Sequence, residues 1–224
     1  MSGGPPAPRQ VFLAGSTGYV GRALSAALIA RGHQVDGLCR PGSESRLVRG
    51  VTPIRGDPLD ATTYQSALRA DHVVVHLVGT PRPAPWKAVQ FERVDLGSVL
   101  QLVNAVRTHT VAHIVYMSVA HPAPVMHAYV NVRVRAEAAL RTAGPPLTIL
   151  RPWYVLGPGH RWAYALLPVY WLAERSATLR DGALRLGLVT LEQMVTALVA
   201  SVETAGADTR ILDVPAIRSA RLPT

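Results

Sequence analysis

Residues 11–24, VFLAGSTGYVGRAL, run from four apolar or small residues through three glycines spaced G-x-x-G-x-x-G (Gly15, Gly18, Gly21) into an apolar-periodic stretch containing Val20, Leu24, Ala27 and Leu28. That order predicts a strand, a tight turn and an amphipathic helix. A second apolar run arrives at 34–39, so the helix serves as the crossover between two parallel strands. The same alternation continues along the chain. Strands are predicted near 11–14, 34–39, 51–54, 73–78, 113–118, 147–151 and 210–213, and helices near 19–31, 62–69, 88–108, 129–142, 161–175 and 191–203. The last helix is the best marked: Leu191, Met194, Val195, Leu198, Val199 and Val202 form one apolar face, and Thr190 with Gln193 forms a capping-box pair. Strands rich in Val and Ile alternating with helices give an α/β fold, a doubly wound parallel sheet with helices on both faces.

Within the 224 residues, 1–9 read as a disordered, Gly- and Pro-rich lead-in and 10–218 as a single domain. Residues 153–185 form a small substrate-side cap lobe within it, and 219–224 form a tail. No signal peptide is expected, and the longest uncharged apolar run, AYALLPVYWLA (163–173), is far short of the roughly 20 residues that span a bilayer. The single cysteine, Cys39, fits a reducing cytoplasm and reads as a small apolar residue at a strand end. A net charge of +9 raises nucleic acid as a partner, but the arginines are scattered and form no basic block, so none is expected. Lys87 is the only lysine in the chain.

In this setting Gly15 permits the tight turn, Gly18 lets backbone approach a pyrophosphate and Gly21 lets helix pack on strand, while the helix start offers free N–H groups. The turn is read as a dinucleotide site. A carboxylate at the end of the second strand would favour NAD; here Cys39 stands there, followed by Arg40, with Ser43 and Arg46 close behind. An Arg beside small hydroxyl residues suits a 2′-phosphate, so NADP(H) is favoured over NAD(H).

These residues resemble the atypical or extended short-chain dehydrogenase/reductase superfamily, of the NAD(P)H-binding, epimerase/dehydratase-like or NmrA-like kind, from Val11 to Pro215. The resemblance implies a Rossmann fold. GSTGYVGR is similar to its cofactor loop, which adds Ser16, Thr17, Tyr19 and Val20 to the glycines as cofactor-binding residues. GDPLD (56–60) resembles its third-strand motif, in which Asp57 would bond the adenine amino group, and VVVHLVG (73–79) its fourth strand, with Leu77, Val78 and Gly79 passing beside the cofactor. VYMS (115–118) resembles the fifth strand ending in the active-site Ser118, and RPWYVLGPG (151–159) the segment flanking the nicotinamide, through Pro152, Trp153, Tyr154 and Val155.

The superfamily's Tyr-x-x-x-Lys becomes Tyr129-x-x-x-Arg133 here, followed by Glu137 along the same helix face. In the resembled mechanism the phenol is the general acid and Ser118 polarises the substrate oxygen. Arg133 in the lysine's slot would supply charge and bond the nicotinamide ribose, but it cannot release a proton. Tyr129 is the first choice for proton donor and Ser118 the second. The competing arrangement is a surface Tyr129 and an Arg133 paired with Glu137 on the helix face. Lys87, in a Pro-rich loop, is a poor substitute for Arg133.

His109 and His113 have i, i+4 spacing, but Thr110 and Val111 begin the turn into a strand, so the rings share no helical face and no metal is expected. His76 reads as a core or cofactor-edge residue, and His121 and His127 as loop residues overhanging the pocket. The aromatic run 160–174 reads as pocket wall or homodimer interface, with docking at a membrane surface as a further reading. The leading expectation is an NADPH-dependent oxidoreductase acting on a small or lipophilic carbonyl, enone or quinone. The alternative is a non-catalytic NAD(P)H-binding redox sensor or assembly protein. An epimerase/dehydratase ranks lower, because little chain follows the sixth strand to recognise a nucleotide-sugar.

Overall fold

Strand β1 (Gln10–Ala14) carries Val11, Phe12 and Leu13 in succession, and all three are fully buried because both faces of the strand are covered. The computed structural model describes residues 7–156, 185–206 and 208–223. After β1 come α1 (Tyr19–Ala30), β2 (Gln34–Cys39), β3 (Thr52–Arg55) and β4 (His72–His76). A helix in three consecutive pieces follows, Ala88–Gln90, a π-helical Phe91–Leu96 and Gly97–Thr108, together α2. Then come β5 (His113–Met117), α3 (His127–Arg141), β6 (Leu147–Leu150), β7 (Tyr154–Leu156), β8 (Leu188–Thr190), α4 (Leu191–Glu203), β9 (Arg210–Leu212) and α5 (Val214–Ser219).

Seven parallel strands form the central sheet in the order β3-β2-β1-β4-β5-β6-β9. The strand alternation sorts its side chains between two cores. Val11, Leu13, Val73, Val75 and Val115 face α1, α4 and α5, through Leu24, Leu28, Leu198, Val202 and Ile217. Phe12, Ala14, Val74, Ile114 and Tyr116 face α2 and α3, through Val99, Leu102, Val132 and Leu140. This is the doubly wound Rossmann sheet expected, and its strand order reverses between β1 and β4, which opens a crevice at their carboxyl ends.

The capping box of α4 forms as read: Gln193 N donates to Thr190 Oγ1 at 3.1 Å and Thr190 N to Gln193 Oε1 at 2.9 Å. The helix expected over 62–69 is instead two 3-10 turns, Ala61–Thr63 and Gln65–Ala67. Thr62 N bonds the Asp60 carboxylate and Thr63 Oγ1 donates to Asp60 O, so side chains take the backbone partners that a longer helix would use. The β7–β8 pair and α5 were not anticipated. For α5 the signal was present, since Asp213 Oδ1 accepts from Ala216 N at 3.0 Å and Pro215 stands in the first turn. The helix read at 161–175, the aromatic run and most of the 153–185 lobe lie outside the described residues. No helix of the described residues is long and apolar enough to cross a membrane.

Three buried histidines lie in the strands of this sheet. His113 is held neutral between Gly206 O at 3.2 Å and Thr148 Oγ1 at 2.8 Å, and burial lowers its pKa and that of His72. His76 has no hydrogen-bond partner at either ring nitrogen among the described residues, and burial first, then the Arg133 charge, pushes its pKa from 6.5 down to about 3. Between those values the unfolded chain binds a proton that the folded protein refuses, so stability is full above pH 6.5 and falls as pH drops through the window. At pH 5 the loss from His76 alone is about 2 kcal/mol. Urea unfolding at pH 7.5 and pH 5 checks this: the wild type loses stability at the lower pH, and His76→Phe loses less of it.

Candidate cofactor site

Each glycine of the opening turn is demanded by a contact. Gly15 has a φ of +93°, and a Cβ there would lie 2.9 Å from the carbonyl carbon of Leu77. A Cβ on Gly21 would lie 2.1 Å from Gly15 O, and Gly18 N donates to that same oxygen at 3.0 Å. Gly18 is the N-cap of α1, which has no side-chain cap and no acid in its first turn. The helix therefore points uncompensated N–H groups at the crevice, an arrangement suited to an anion.

The crevice is a cleft of about 450 Å³. Gly15, Thr17 and Gly18 form its floor, Arg40 and Asp57 one wall, and Leu77, Val78 and Gly79 another. Of the predicted loop residues, Ser16 is buried and donates from Oγ to Leu38 O at 2.9 Å, which ties the turn to β2. Tyr19, Val20 and Gly21 belong to the first turns of α1, behind the floor. Arg46 ends the short turn Glu44–Arg46 that follows Ser43, and its Nη2 reaches back to Thr17 O at 3.5 Å. Asp57 Oδ1 accepts from Leu59 N at 2.9 Å. Pro152 anchors Ala120 N at 2.9 Å, Trp153 packs on the α1/α4 core, and Tyr154 and Val155 enter β7; none of the four lines this cleft. Cys39 lies in the wall, where burial raises its thiol pKa. Sequence reasoning missed Gln90 and Arg93, which come to the opposite wall from the start of α2. Their spacing gave no signal, because the π-helical segment shifts the register of the helix there.

Beside this cleft, next to β5, the expected trio separates. Tyr129 is half-buried, its ring 5.0 Å from Phe91 and 5.2 Å from the Arg133 guanidinium carbon. Arg133 is 3% exposed and does not pair with Glu137. Its Nη2 meets Asp95 Oδ1 at 2.6 Å, and its Nη1 donates to Tyr116 Oη at 3.1 Å and Met117 O at 3.0 Å. The other Asp95 oxygen accepts from Thr80 N at 3.0 Å and Thr80 Oγ1 at 2.6 Å. The π-helical segment explains the exchange of partners, since it turns Asp95 inward together with Phe91 and Leu96. A Cβ on Gly79 would fall 2.4 Å from Arg133 Nη2. Burial pushes the Tyr116 phenol up to about 12 against the opposing pull of Arg133. Ser118 donates to Glu137 Oε1 at 2.6 Å, and Glu137 in turn accepts from Arg151 Nε at 3.0 Å. Lys87 Nζ is tied to Pro81 O and Arg82 O at 2.7 and 3.0 Å.

A family model described as NAD(P)H-binding matches residues 15–164, more than half of the chain. The chain belongs to this NAD(P)H-binding family. It is similar to the 2-alkyl-3-oxoalkanoate reductase of Stenotrophomonas maltophilia, 28% identical over 200 residues that cover 79% of this chain and 58% of the relative. The ceramide reductase of Caulobacter vibrioides is 26% identical over 194 residues, 85% of this chain and 60% of that protein. The chain thus spans under two thirds of the length of these curated relatives. Among solved structures, a short-chain dehydrogenase/reductase superfamily protein from Agrobacterium tumefaciens with bound NAD superposes with a TM-score of 0.66 at 18% identity, covering 94% of this chain and 81% of its own. The Bordetella bronchiseptica enzyme WbmH in complex with NAD+ gives 0.67 at 20% identity, covering 92% and 75%. The fold is therefore that of the short-chain dehydrogenase/reductase and epimerase superfamily.

NAD(P)H-binding membership agrees with what the turn can hold. The glycines leave the space that a side chain would fill, and the uncapped start of α1 suits a pyrophosphate. Gly21→Ala drives a methyl into Gly15 O; it is expected to cost on the order of 3 kcal/mol and to abolish nicotinamide-nucleotide binding by calorimetry. Asp95→Asn leaves the Arg133 charge buried and unpaired, and urea unfolding is expected to show a loss of about 3–5 kcal/mol.

Proposed function

We propose that this NAD(P)H-binding protein is an NADPH-dependent reductase of a small or lipophilic carbonyl, enone or quinone. The observation that carries the cofactor preference is the end of β2: Cys39 and not a carboxylate ends the strand, Glu44 in the following turn is paired with Arg55, Arg40 stands in the wall of the cleft, and Arg46 reaches the glycine loop. Two arginines beside Ser43 offer charge and forked donors to a 2′-phosphate. The reductase reading draws on the names of the two curated relatives, both reductases, one of an oxoalkanoate and one of ceramide. A lipophilic carbonyl is the substrate class these names have in common with the aromatic run at 160–174.

When bound, the reduced nicotinamide supplies a hydride to the carbonyl carbon. The chain's part is to hold the cofactor on the α1 turn and give the substrate oxygen a proton. Tyr129 is the proposed donor: its ring is fixed between Phe91 and the Arg133 guanidinium. Ser118 and Tyr129 flank the substrate in this reading, with Pro152–Val155 near the nicotinamide.

A second reading, a nucleotide-binding protein without turnover, is favoured by one observation. The cation in the lysine's slot is committed to Asp95, Tyr116 and Met117 rather than offered to a ribose.

Calorimetric titration with NADPH and NADH in one buffer tests the preference. NADPH is expected to bind more tightly, and Arg40→Ala to remove most of the difference; equal affinities would overturn it. Tyr129→Phe is expected to abolish reduction of a quinone or 3-oxo ester while cofactor affinity stays nearly unchanged. Wild-type binding of NADPH without oxidation by any acceptor would support the second reading.

A further inference from the structure

Ser118 has one hydroxyl hydrogen, and Glu137 Oε1 takes it at 2.6 Å. Glu137 is 1% exposed. Burial raises its pKa, but the hydrogen bonds from Arg151 and Ser118 and the nearby positive charge outweigh burial and hold it below the ordinary carboxylate value. As a permanent carboxylate it is a permanent acceptor. Ser118 therefore turns lone pairs, not a hydrogen, toward anything else, and a carbonyl oxygen gains nothing from it.

The same Oε1 lies 3.4 Å from His121 Nε2. His121 and Ser118 thus converge on one oxygen atom. His121 lines a second cleft, of about 520 Å³, with Arg151, Arg185 and Asp213. His121, Arg151 and Asp213 follow the carboxyl ends of β5, β6 and β9, the side of a doubly wound sheet on which ligands bind. With Nε2 turned to Glu137, the ring's Nδ1 has no partner among the described residues. The charged groups around the pair are Arg151, whose Nε also donates to Oε1 at 3.0 Å and whose Nη2 takes the far oxygen of Glu137, Arg141 on that far oxygen, and Arg185 and Asp213 in the cleft wall. Asp213 is engaged with Ala216 N, and Arg185 with Pro122 O at 3.2 Å.

We propose that His121, aligned by Glu137, gives the hydrogen bond that polarises the substrate's carbonyl oxygen, and that Ser118 is a positioning residue that fixes Glu137. This rests on the reductase reading and leaves the proton donor, Tyr129, unchanged. The imidazolium serves both sides at once: Nε2–H faces the carboxylate and Nδ1–H faces the substrate.

The test begins with the His121 ring resonances in the full, nucleotide-free chain, observed by NMR. They are expected to shift in Glu137→Gln, and unmoved resonances would overturn the pairing. Glu137→Gln leaves Arg151 without its buried partner, so a second arm avoids it. With NADPH and a medium-chain 3-oxo ester as probe, His121→Leu is expected to lower kcat/KM on the order of 100-fold. Ser118→Ala is expected to lose less. A larger loss in Ser118→Ala than in His121→Leu would sink the proposal. Calorimetry with NADPH on each variant separates the two readings: no binding by the wild type brings down the reductase reading, whereas intact binding with the wrong order of losses brings down this one alone.

Discussion

The carbonyl oxygen of Gly15 accepts from Gly18 N at 3.0 Å and would stand 2.1 Å from a side chain at residue 21. Strand β1 and helix α1 can meet only where both flanking positions lack a Cβ. Everything downstream inherits that closeness. It seats Leu24 and Leu28 on Val11 and Leu13, brings the bare start of α1 to the reversal point of the sheet, and leaves a cleft there. The turn is both the tightest packing in the molecule and the part most ready for a ligand, because removing side chains achieves both.

The charge arrangement at the substrate end follows a different logic. Two buried carboxylates each hold an arginine: Asp95 holds Arg133 and Glu137 holds Arg151. Each carboxylate also takes a hydroxyl, from Thr80 and Ser118 respectively. Neither arginine can lose its proton, so each carboxylate always faces a cation. A lysine in position 133 would offer three mobile donors from one point charge. Arginine offers a planar fork, which here ties α3 to α2 and β5. The substitution exchanges a group able to reach outward for one that binds three elements together.

Most of the fold was legible because its strands are covered on both sides. A run such as VVVHLV has no reading other than a central strand, and the helix periods between such runs are regular. What escaped was set by tertiary partners. Spacing alone puts Arg133 beside Glu137, four residues on, yet burial selected Asp95 from another helix once the π-helical segment had rotated it inward. The same local winding concealed Gln90 and Arg93. Thr63 and Asp60 defeated a short helix with side-chain hydrogen bonds that a periodicity count does not include. At the cofactor end Gly15, Thr17, Gly18, Arg40, Asp57 and Leu77–Gly79 could be named from residue types, since the backbone itself makes the cleft. At the substrate end side chains make the site, and their choice of partner is a three-dimensional fact.

Gly79 and Arg133 meet at a single point: Nη2 of the arginine occupies the space where a methyl at 79 would sit, 2.4 Å away, with Asp95 Oδ1 3.0 Å from the same spot. The two positions therefore share one volume. The space that a side chain at 79 would take is filled by the guanidinium, so the smallest residue of the cleft wall is also the seat of the buried ion pair, and a change at 79 is felt first as a displaced charge.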